Sequence, residues 1–377
     1  MKNKKTKVLL AMSGGVDSSV AALLLKKQGY EIIGAFMKNW SDTKNQITGE
    51  CSWREERKQA IKIASMLNIP LITLDFEKQY KSQVVDEMFK KYKLGITPNP
   101  DVDCNNKVKF PLLWKAAKRL NCDLIATGHY ARTKKTKNKI ELHRAKDESK
   151  DQSYFLYRLK EFDLSHTLFP IGNYTKKQVR EIAEKNKFPN YNKKSTVGIC
   201  FIGKVNLKDF LKNKIKPKKG NILNPEGKII GTHDGIYYYT IGQRIGPRFG
   251  INIDKGVHDS NPSQMSRWYV AKKDIKTNTL TIAPEGNKLL YRQNIIIKNA
   301  HWINSELSKT KSHKIFSRIR QVGELIPSNL RYNKKTKHFE IVLNKAITGI
   351  SKGQAIVLYQ KTKCIGGGVI SFQNANT

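Results

Sequence analysis

Met12–Ser13–Gly14–Gly15–Val16–Asp17–Ser18–Ser19 lies where an apolar run, Lys7–Met12, gives way to a helical pattern, Ser18–Gln28. The apolar run reads as a buried strand, so the octet is a strand-to-helix turn. Two adjacent glycines allow φ > 0 and close approach of the backbone. Successive N–H groups can then line a concavity for phosphate, with the helix N-terminus adding partial positive charge and Ser13, Ser18 and Ser19 adding hydroxyl donors. No Lys follows the glycines, so this is not the GxxxxGK[ST] loop of γ-phosphate transfer, and the spacing is not GxGxxG. A Gly-Gly turn ahead of a helix is equally compatible with a tight turn that binds nothing.

Outward from the octet, short apolar runs alternate with helical patterns. Strands are expected at Glu31–Phe36, Leu71–Leu74 and Asp123–Thr127, and helices at Arg54–Asn68 and Thr175–Lys187, the last with a capping Thr175. Alternating β and α units imply a doubly wound parallel sheet, an α/β fold. Two long connections, Lys38–Trp53 and Leu94–Asn106, are of a length that is more often functional than accidental. After about Cys200 the texture changes. Lys, Gly and Pro crowd together from Lys212, short strands follow at Gly235–Ile241 and Trp268–Ala271, and a small β-rich or mixed middle domain is expected. Beyond Asn287 the alternating runs Asn294–Lys298, His313–Arg320, Lys337–Leu343, Gln354–Tyr359 and Gly366–Phe372 suggest a small β-barrel.

The chain has 377 residues, and 70 Lys+Arg against 31 Asp+Glu leave a formal charge of +39. Length predicts two or three domains at about 150 residues each. Such a surplus favours a polyanionic partner, nucleic acid first, although a Lys- and Asn-rich composition also follows from codon bias. No run approaches the ~18 apolar residues of a spanning helix, and VLLAM is too short for a signal-peptide core, so a soluble cytoplasmic protein with no membrane partner is expected.

Cys51, Cys104, Cys122, Cys200 and Cys364 are odd in number, scattered, and contain no CxxC pair. That argues against a disulfide framework and against a zinc site. Cys104 follows the Pro- and Asn-rich stretch Thr97–Asp103, just ahead of a helix expected to begin near Asn106. There the helix dipole, with Lys107 and Lys109 close by, would stabilise a thiolate. Asp101, three residues earlier, is near enough to exchange a proton. Cys200, in the apolar stretch Gly198–Gly203, reads equally as a small buried hydrophobe.

The octet resembles the PP-loop of the ATP pyrophosphatases, which split ATP into AMP and pyrophosphate. Eight ordered segments together resemble one family, the tRNA-specific 2-thiouridylases: SGGVDSS (13–19), PNPDxxCN (98–105), ATGHYAR (126–132), KDQSYFL (150–156), LFPIG (168–172), GICFIG (198–203), YTIGQR (239–244) and GQAIVLY (353–359). They span nearly the whole chain. Two other readings, a PP-loop ligase acting on a small molecule and a non-catalytic RNA-binding protein, leave the two cysteine motifs unexplained.

This resemblance implies three domains, 1–205, 206–285 and 286–377: a PP-loop catalytic domain, a small central domain and a tRNA-contacting barrel. It implies ATP, with Mg²⁺, held by Ala11, Met12, Ser13, Gly14, Gly15, Val16, Asp17 and Ser18 together with Met37 and Gly128. Cys200 would carry sulfur as a persulfide and Cys104 would attack it, leaving a Cys104–Cys200 disulfide, with Asp101 as general acid/base. Asn99, Pro100 and Asp101 would receive the wobble uridine of the anticodon stem-loop. His129, Lys150, Asp151, Gln152, Arg320, Gln321 and Gln354 match tRNA contacts, and a persulfide donor such as a cysteine desulfurase or relay protein is implied as a partner. The chain departs from the family pattern at Lys194–Val197, where the usual acidic residue is missing beside Ser195. It departs again at Gln321, where a Tyr is usual, and in Ser41–Glu50, which is less acidic than the norm.

Overall fold

The computed structural model describes residues 5–41, 52–194, 198, 200, 202, 206–246, 252–253 and 267–372. Strand β1 (Lys7–Ala11) feeds helix α1 (Val16–Lys27), followed by β2 (Glu31–Lys38), α2 (Ser52–Met66) and β3 (Leu71–Asp75). Strands β4 (Leu124–Ala126) and β7 (Thr167–Leu168) complete a five-stranded sheet in the order β3-β2-β1-β4-β7. Every pairing in it is parallel. This is the expected α/β architecture, and its strands are apolar on both faces because both are covered.

The alternation along β1 sorts the core. Val8 and Leu10 pack with Val20 and Ala21 of α1, Ile63 of α2 and Val179 of the helix Lys176–Lys185. Thr175 caps that helix, reciprocally with Gln178. Leu9 faces the other way, into a core shared by Phe110, Leu113 and Ala117 and by Val357, Tyr359 and Cys364 from the C-terminal part of the chain. Because β2 and β4 leave β1 on opposite sides, the sheet has its topological switch point at the C-terminal ends of β1 and β4, where α/β sheets bind ligands.

The connection expected between Leu94 and Asn106 is instead largely helical. A helix starts at Pro100, with Asn99 as N-cap accepting from the Val102 N–H at 3.2 Å. It continues through a π-helical turn, Cys104–Lys109, into Phe110–Arg119. The Asn99–Pro100 pair explains the early start: Asn is a strong N-cap, and proline suits the first helical position. A second helical run, 77–93, also contains a π turn, Lys81–Val85.

In the central part six strands form one sheet, including Gly220–Leu223, Ile229–His233, Trp268–Asp274 and Thr279–Pro284. The strand expected over Gly235–Ile241 is not formed. Ile236–Tyr238 is a 3₁₀ turn whose apolar side chains Ile236, Tyr238 and Tyr239 are buried, so the hydrophobic run reflects burial in a turn and not strand pairing. The C-terminal strands Tyr291–Trp302, His338–Thr348, Ile326–Asn333, His313–Arg318, Ala355–Gln360 and Lys363–Ser371 pair antiparallel in that order. Tyr291–Trp302 then meets Lys363–Ser371 and closes a six-stranded barrel. Ile326–Asn333 escaped the sequence reading because Pro327, Ser328 and Asn329 mask its alternation.

Also unforeseen was a hairpin, β5 (Ala131–Lys135) and β6 (Ile140–Arg144), whose β6 pairs with the barrel strand at Leu142↔Cys364 and His143↔Lys363. Buried ion pairs reinforce the joint: Arg318 Nη1 lies 2.6 Å from Asp151 Oδ2, and neither side chain is more than 4% exposed. Among the described residues, no helix is long and apolar enough to cross a membrane.

Candidate active site

A cavity of about 440 Å³ opens where the three parts meet. Its wall includes Thr97–Asp101 and Gly198, Leu207 of the central part, and Ile319, Arg320, Gln321 and Gln354 of the barrel. Residues separated by 255 positions in the chain, Asn99 and Gln354, thus line one cavity. The barrel holds the 97–99 segment directly. The Thr97 N–H donates to the Lys352 carbonyl at 3.1 Å, and the Thr97 and Ser351 hydroxyls are 3.1 Å apart. Gly353 makes this approach possible: its φ is +94°, and a Cβ there would fall 2.1 Å from Ile96 Cγ2.

At the inner end of this wall Cys104 Sγ and Cys200 Sγ are 3.9 Å apart, both as free thiols. The Cys200 N–H donates to Asp101 Oδ1 at 2.8 Å, and the Tyr80 hydroxyl donates to the Cys200 carbonyl. Lys109 Nζ sits 3.8 Å from Cys200 Sγ. The roles of the two thiols are therefore unequal. Cys104 lies inside the 100–119 helix instead of ahead of it, fully buried, and desolvation pushes its thiol well above the ordinary range. The dipole argument for a Cys104 thiolate fails for that reason. Cys200 is held below the ordinary range, first by the hydrogen bond from the Cys104 thiol and then by the charge of Lys109. Burial raises the Asp101 carboxyl, against the pull of the Cys200 N–H and Lys109. Two adjacent thiols of unequal acidity can form and break a disulfide, and a carboxyl raised by burial beside them can pass a proton.

The phosphate loop lies at the switch point. Gly14 has φ +72° and packs on α2, where a Cβ would fall 2.2 Å from the Glu56 carbonyl oxygen. Helix α1 has no side-chain cap, which leaves the N–H groups of its first turn for a ligand. The Ser18 and Ser19 hydroxyls, expected as ligand donors, both donate to the Gly15 carbonyl at 3.0 Å and brace the turn, while Ser13 is exposed. Asp17 is engaged by Lys176 at 2.6 Å and by the Tyr130 hydroxyl at 2.8 Å. Ala11 ends β1, the Met12 N–H donates to Ala35, Met37 is buried in β2, and a Cβ on Gly128 would meet Ser18 N at 2.8 Å. These residues lie together around the end of β1 and the start of α1. Among the described residues no three His, Cys, Asp or Glu side chains converge to hold a metal ion.

A family model described as the tRNA methyl transferase HUP domain matches residues 6–204. Models for its PRC-barrel domain and for an aminomethyltransferase beta-barrel domain match 208–284 and 292–370. The tRNA-specific 2-thiouridylase MnmA of Bacillus subtilis is 39% identical over 367 residues, covering 97% of this chain and 95% of the relative. MnmA of Enterococcus faecalis is 40% identical, covering 98% and 96%, and MnmA 2 of Aliarcobacter butzleri is 39% identical, covering 98% and 99%. The chain belongs to the tRNA-specific 2-thiouridylase family. Its PP-loop domain is of the ATP-using type.

Within this thiouridylase framework the remaining candidate residues separate into two groups. Arg320 is exposed at the cavity, its Nη2 donating to the Gly349 carbonyl at 3.0 Å; Gln321 and Gln354 line the same wall, and Lys150 is exposed. The side chains of His129, Asp151 and Gln152 are engaged by the protein itself. His129 is 8% exposed and stacks on Phe110. Asp151 is 1% exposed and accepts from Arg318 and from the Ala145 and Ser153 N–H groups. Gln152 accepts from the Tyr130 N–H at 2.8 Å. Ser195 lies outside the described residues, as does most of the 38–53 connection. Sequence reasoning missed Tyr80, Lys176 and Tyr154, whose hydroxyl donates to Ile319 and Ala355 carbonyls across the cavity wall. Tyr154 stands within the quoted KDQSYFL segment, but no motif marks Tyr80 or Lys176, and each of the three acts on a residue over a hundred positions away.

Proposed function

We propose that this protein replaces the C2 oxygen of the wobble uridine, position 34 of tRNA, with sulfur, consuming ATP and giving 2-thiouridine, AMP and pyrophosphate. The observation that carries the proposal is the cavity in which Asp101 meets Arg320 and Gln354 of the barrel, with the Cys104–Cys200 thiol pair directly behind Asp101. Small-molecule PP-loop ligases adenylate their substrates without such a thiol pair.

The uridine, splayed from the anticodon stack, enters between Asn99–Pro100–Asp101 and the barrel. A uracil C2 oxygen is a poor leaving group, so it first attacks the α-phosphate of ATP, and the N–H groups of the α1 turn take up the departing pyrophosphate. Mg²⁺ arriving with ATP would be held mainly by phosphate oxygens, since Asp17 is engaged by Lys176. Cys200 carries a sulfane sulfur as a persulfide. The Cys104 sulfur attacks Cys200 Sγ, the S–S bond to the outer sulfur breaks, and that sulfur leaves with both electrons as sulfide. Sulfide adds to C2 and AMP departs, with Asp101 managing the proton. The Cys104–Cys200 disulfide left behind needs a two-electron reductant before the next turnover, which suits a reducing cytoplasm.

Arg320, Gln321, Gln354 and Lys150 would contact tRNA directly, whereas His129, Asp151 and Gln152 would act on it through the elements they brace. Division at 205/206 and 285/286 fits these roles, with the sulfur supplied by a cysteine desulfurase or a relay protein. Mass spectrometry of nucleosides from tRNA incubated with the protein, ATP, Mg²⁺ and a persulfide source should show 2-thiouridine. Its absence with folded, sulfur-loaded protein overturns the proposal.

A further inference from the structure

Lys109 lies five residues after Cys104, and the π-helical turn Cys104–Lys109 joins them. The wider turn directs Lys109 to the side on which Cys104 lies, so both side chains reach Cys200: Cys104 Sγ at 3.9 Å and Lys109 Nζ at 3.8 Å. Lys109 Nζ is also 3.4 Å from His129 Nε2, and His129 Nδ1 is 2.8 Å from the Thr127 hydroxyl. An ammonium group has donors only, so Nε2 must accept and the ring proton sits on Nδ1, which donates to Thr127. Burial and the adjacent Lys109 charge keep that imidazole neutral. His129 therefore works as a fixed acceptor that aims the ammonium at the sulfur atoms.

We propose that Lys109 is a catalytic residue whose fixed positive charge holds Cys200 as the thiolate that receives sulfur, and then holds the resulting persulfide anion.

Among the described residues, the groups facing Cys200 include Cys104, Asp101 and Lys109 of the 100–119 helix and Tyr80 of the 77–93 helix, with His129 behind Lys109. Cys104 supports the anion only while it keeps its proton, and it loses that support when it attacks. Lys109 stays charged throughout, since the adjacent Cys200 sulfur raises its ammonium above the ordinary lysine range despite burial. In the loading step the Cys200 thiolate attacks the outer sulfur of a donor persulfide. The new bond is Cys200 Sγ–S, the donor S–S bond breaks, and the departing donor thiolate takes the proton of the transferred sulfur and leaves as a thiol; the thiolate beside Lys109 is thus exchanged for a persulfide anion. In the release step the Cys104 thiol proton goes to the departing sulfide, giving HS⁻. Lys109 itself transfers no proton.

This assignment rests on Cys200 as the sulfur carrier, and it is tested without tRNA. Full-length protein is alkylated with iodoacetamide across pH, and the Cys200 and Cys104 peptides are quantified by mass spectrometry. In the unaltered protein the Cys200 midpoint should lie below the ordinary thiol value of about 8.5. Lys109→Gln should raise the midpoint by about one unit and slow Cys200 alkylation at neutral pH about tenfold, and Lys109→Arg should largely restore both. A Cys200 midpoint at or above the ordinary value in the unaltered protein overturns the proposal, even if Lys109→Gln fails to fold. So does a midpoint unchanged in folded Lys109→Gln. A low midpoint in protein that makes no 2-thiouridine would instead break the proposed function and leave the Lys109 assignment standing.

Discussion

The phosphate loop and the cavity in front of the cysteine pair are built in opposite ways. The loop is nearly all contiguous chain: eight residues turn from β1 into α1, their hydroxyls satisfy their own carbonyls, and distant residues, Lys176, Tyr130 and Asn190, only steady it. The cavity has almost no local integrity. Asn99–Asp101, Gly198 and the barrel residues Arg320 and Gln354 belong to separate stretches that meet only because the barrel docks on the 97–99 segment and on β6. A local motif survives as a motif, whereas an assembled site inherits every weakness of its interfaces.

The largest test of that contrast removes the chemistry without touching either scaffold. Cys104→Ser and Cys200→Ser should each abolish 2-thiouridine formation while tRNA binding by filter assay changes less than about twofold; retained thiolation in either variant would break the assignment of the pair. Next, Gly14→Ala should damage the loop from within. A side chain at φ +72° that also meets the Glu56 carbonyl costs about 1–3 kcal/mol, and ATP affinity by calorimetry should fall about tenfold or more. Gly353→Ala should do the reverse, leaving ATP binding intact while the displaced 97–99 segment raises the KM for tRNA about tenfold. If Gly353→Ala weakened ATP binding instead, the two sites would not be separately built.

The smallest effect concerns pH. Asp101 is raised in the fold, so relative to the unfolded chain its contribution is most favourable at low pH and is lost as pH rises from the ordinary carboxylate range through its folded value. Asp101→Asn should therefore raise the melting temperature by a few degrees near neutral pH and by nothing at pH about 3, while thiolation falls. Equal melting shifts at both pH values would show that Asp101 is not desolvated as described.

The α/β order, the barrel and the PP-loop were legible because each rests on short-range periodicity or on contiguous residues. The helix start at Pro100 was misjudged by about six residues. A stretch rich in Pro and Asn looks like loop, although Asn99 and Pro100 are also an N-cap and a first-turn residue. That shift reversed the electrostatics of Cys104. The hairpin β5–β6 was not legible as part of the barrel, since its partner strand begins more than two hundred residues later.

By itself the amino-acid order determined the elements, the phosphate-binding turn and, through resemblance, which two thiols to watch. Tertiary structure alone decided which thiol is the more acidic. A thiol's ionisation depends on burial and on charges within a few ångströms, and here those come from Lys109, Asp101 and Cys104 acting on a residue about a hundred positions away.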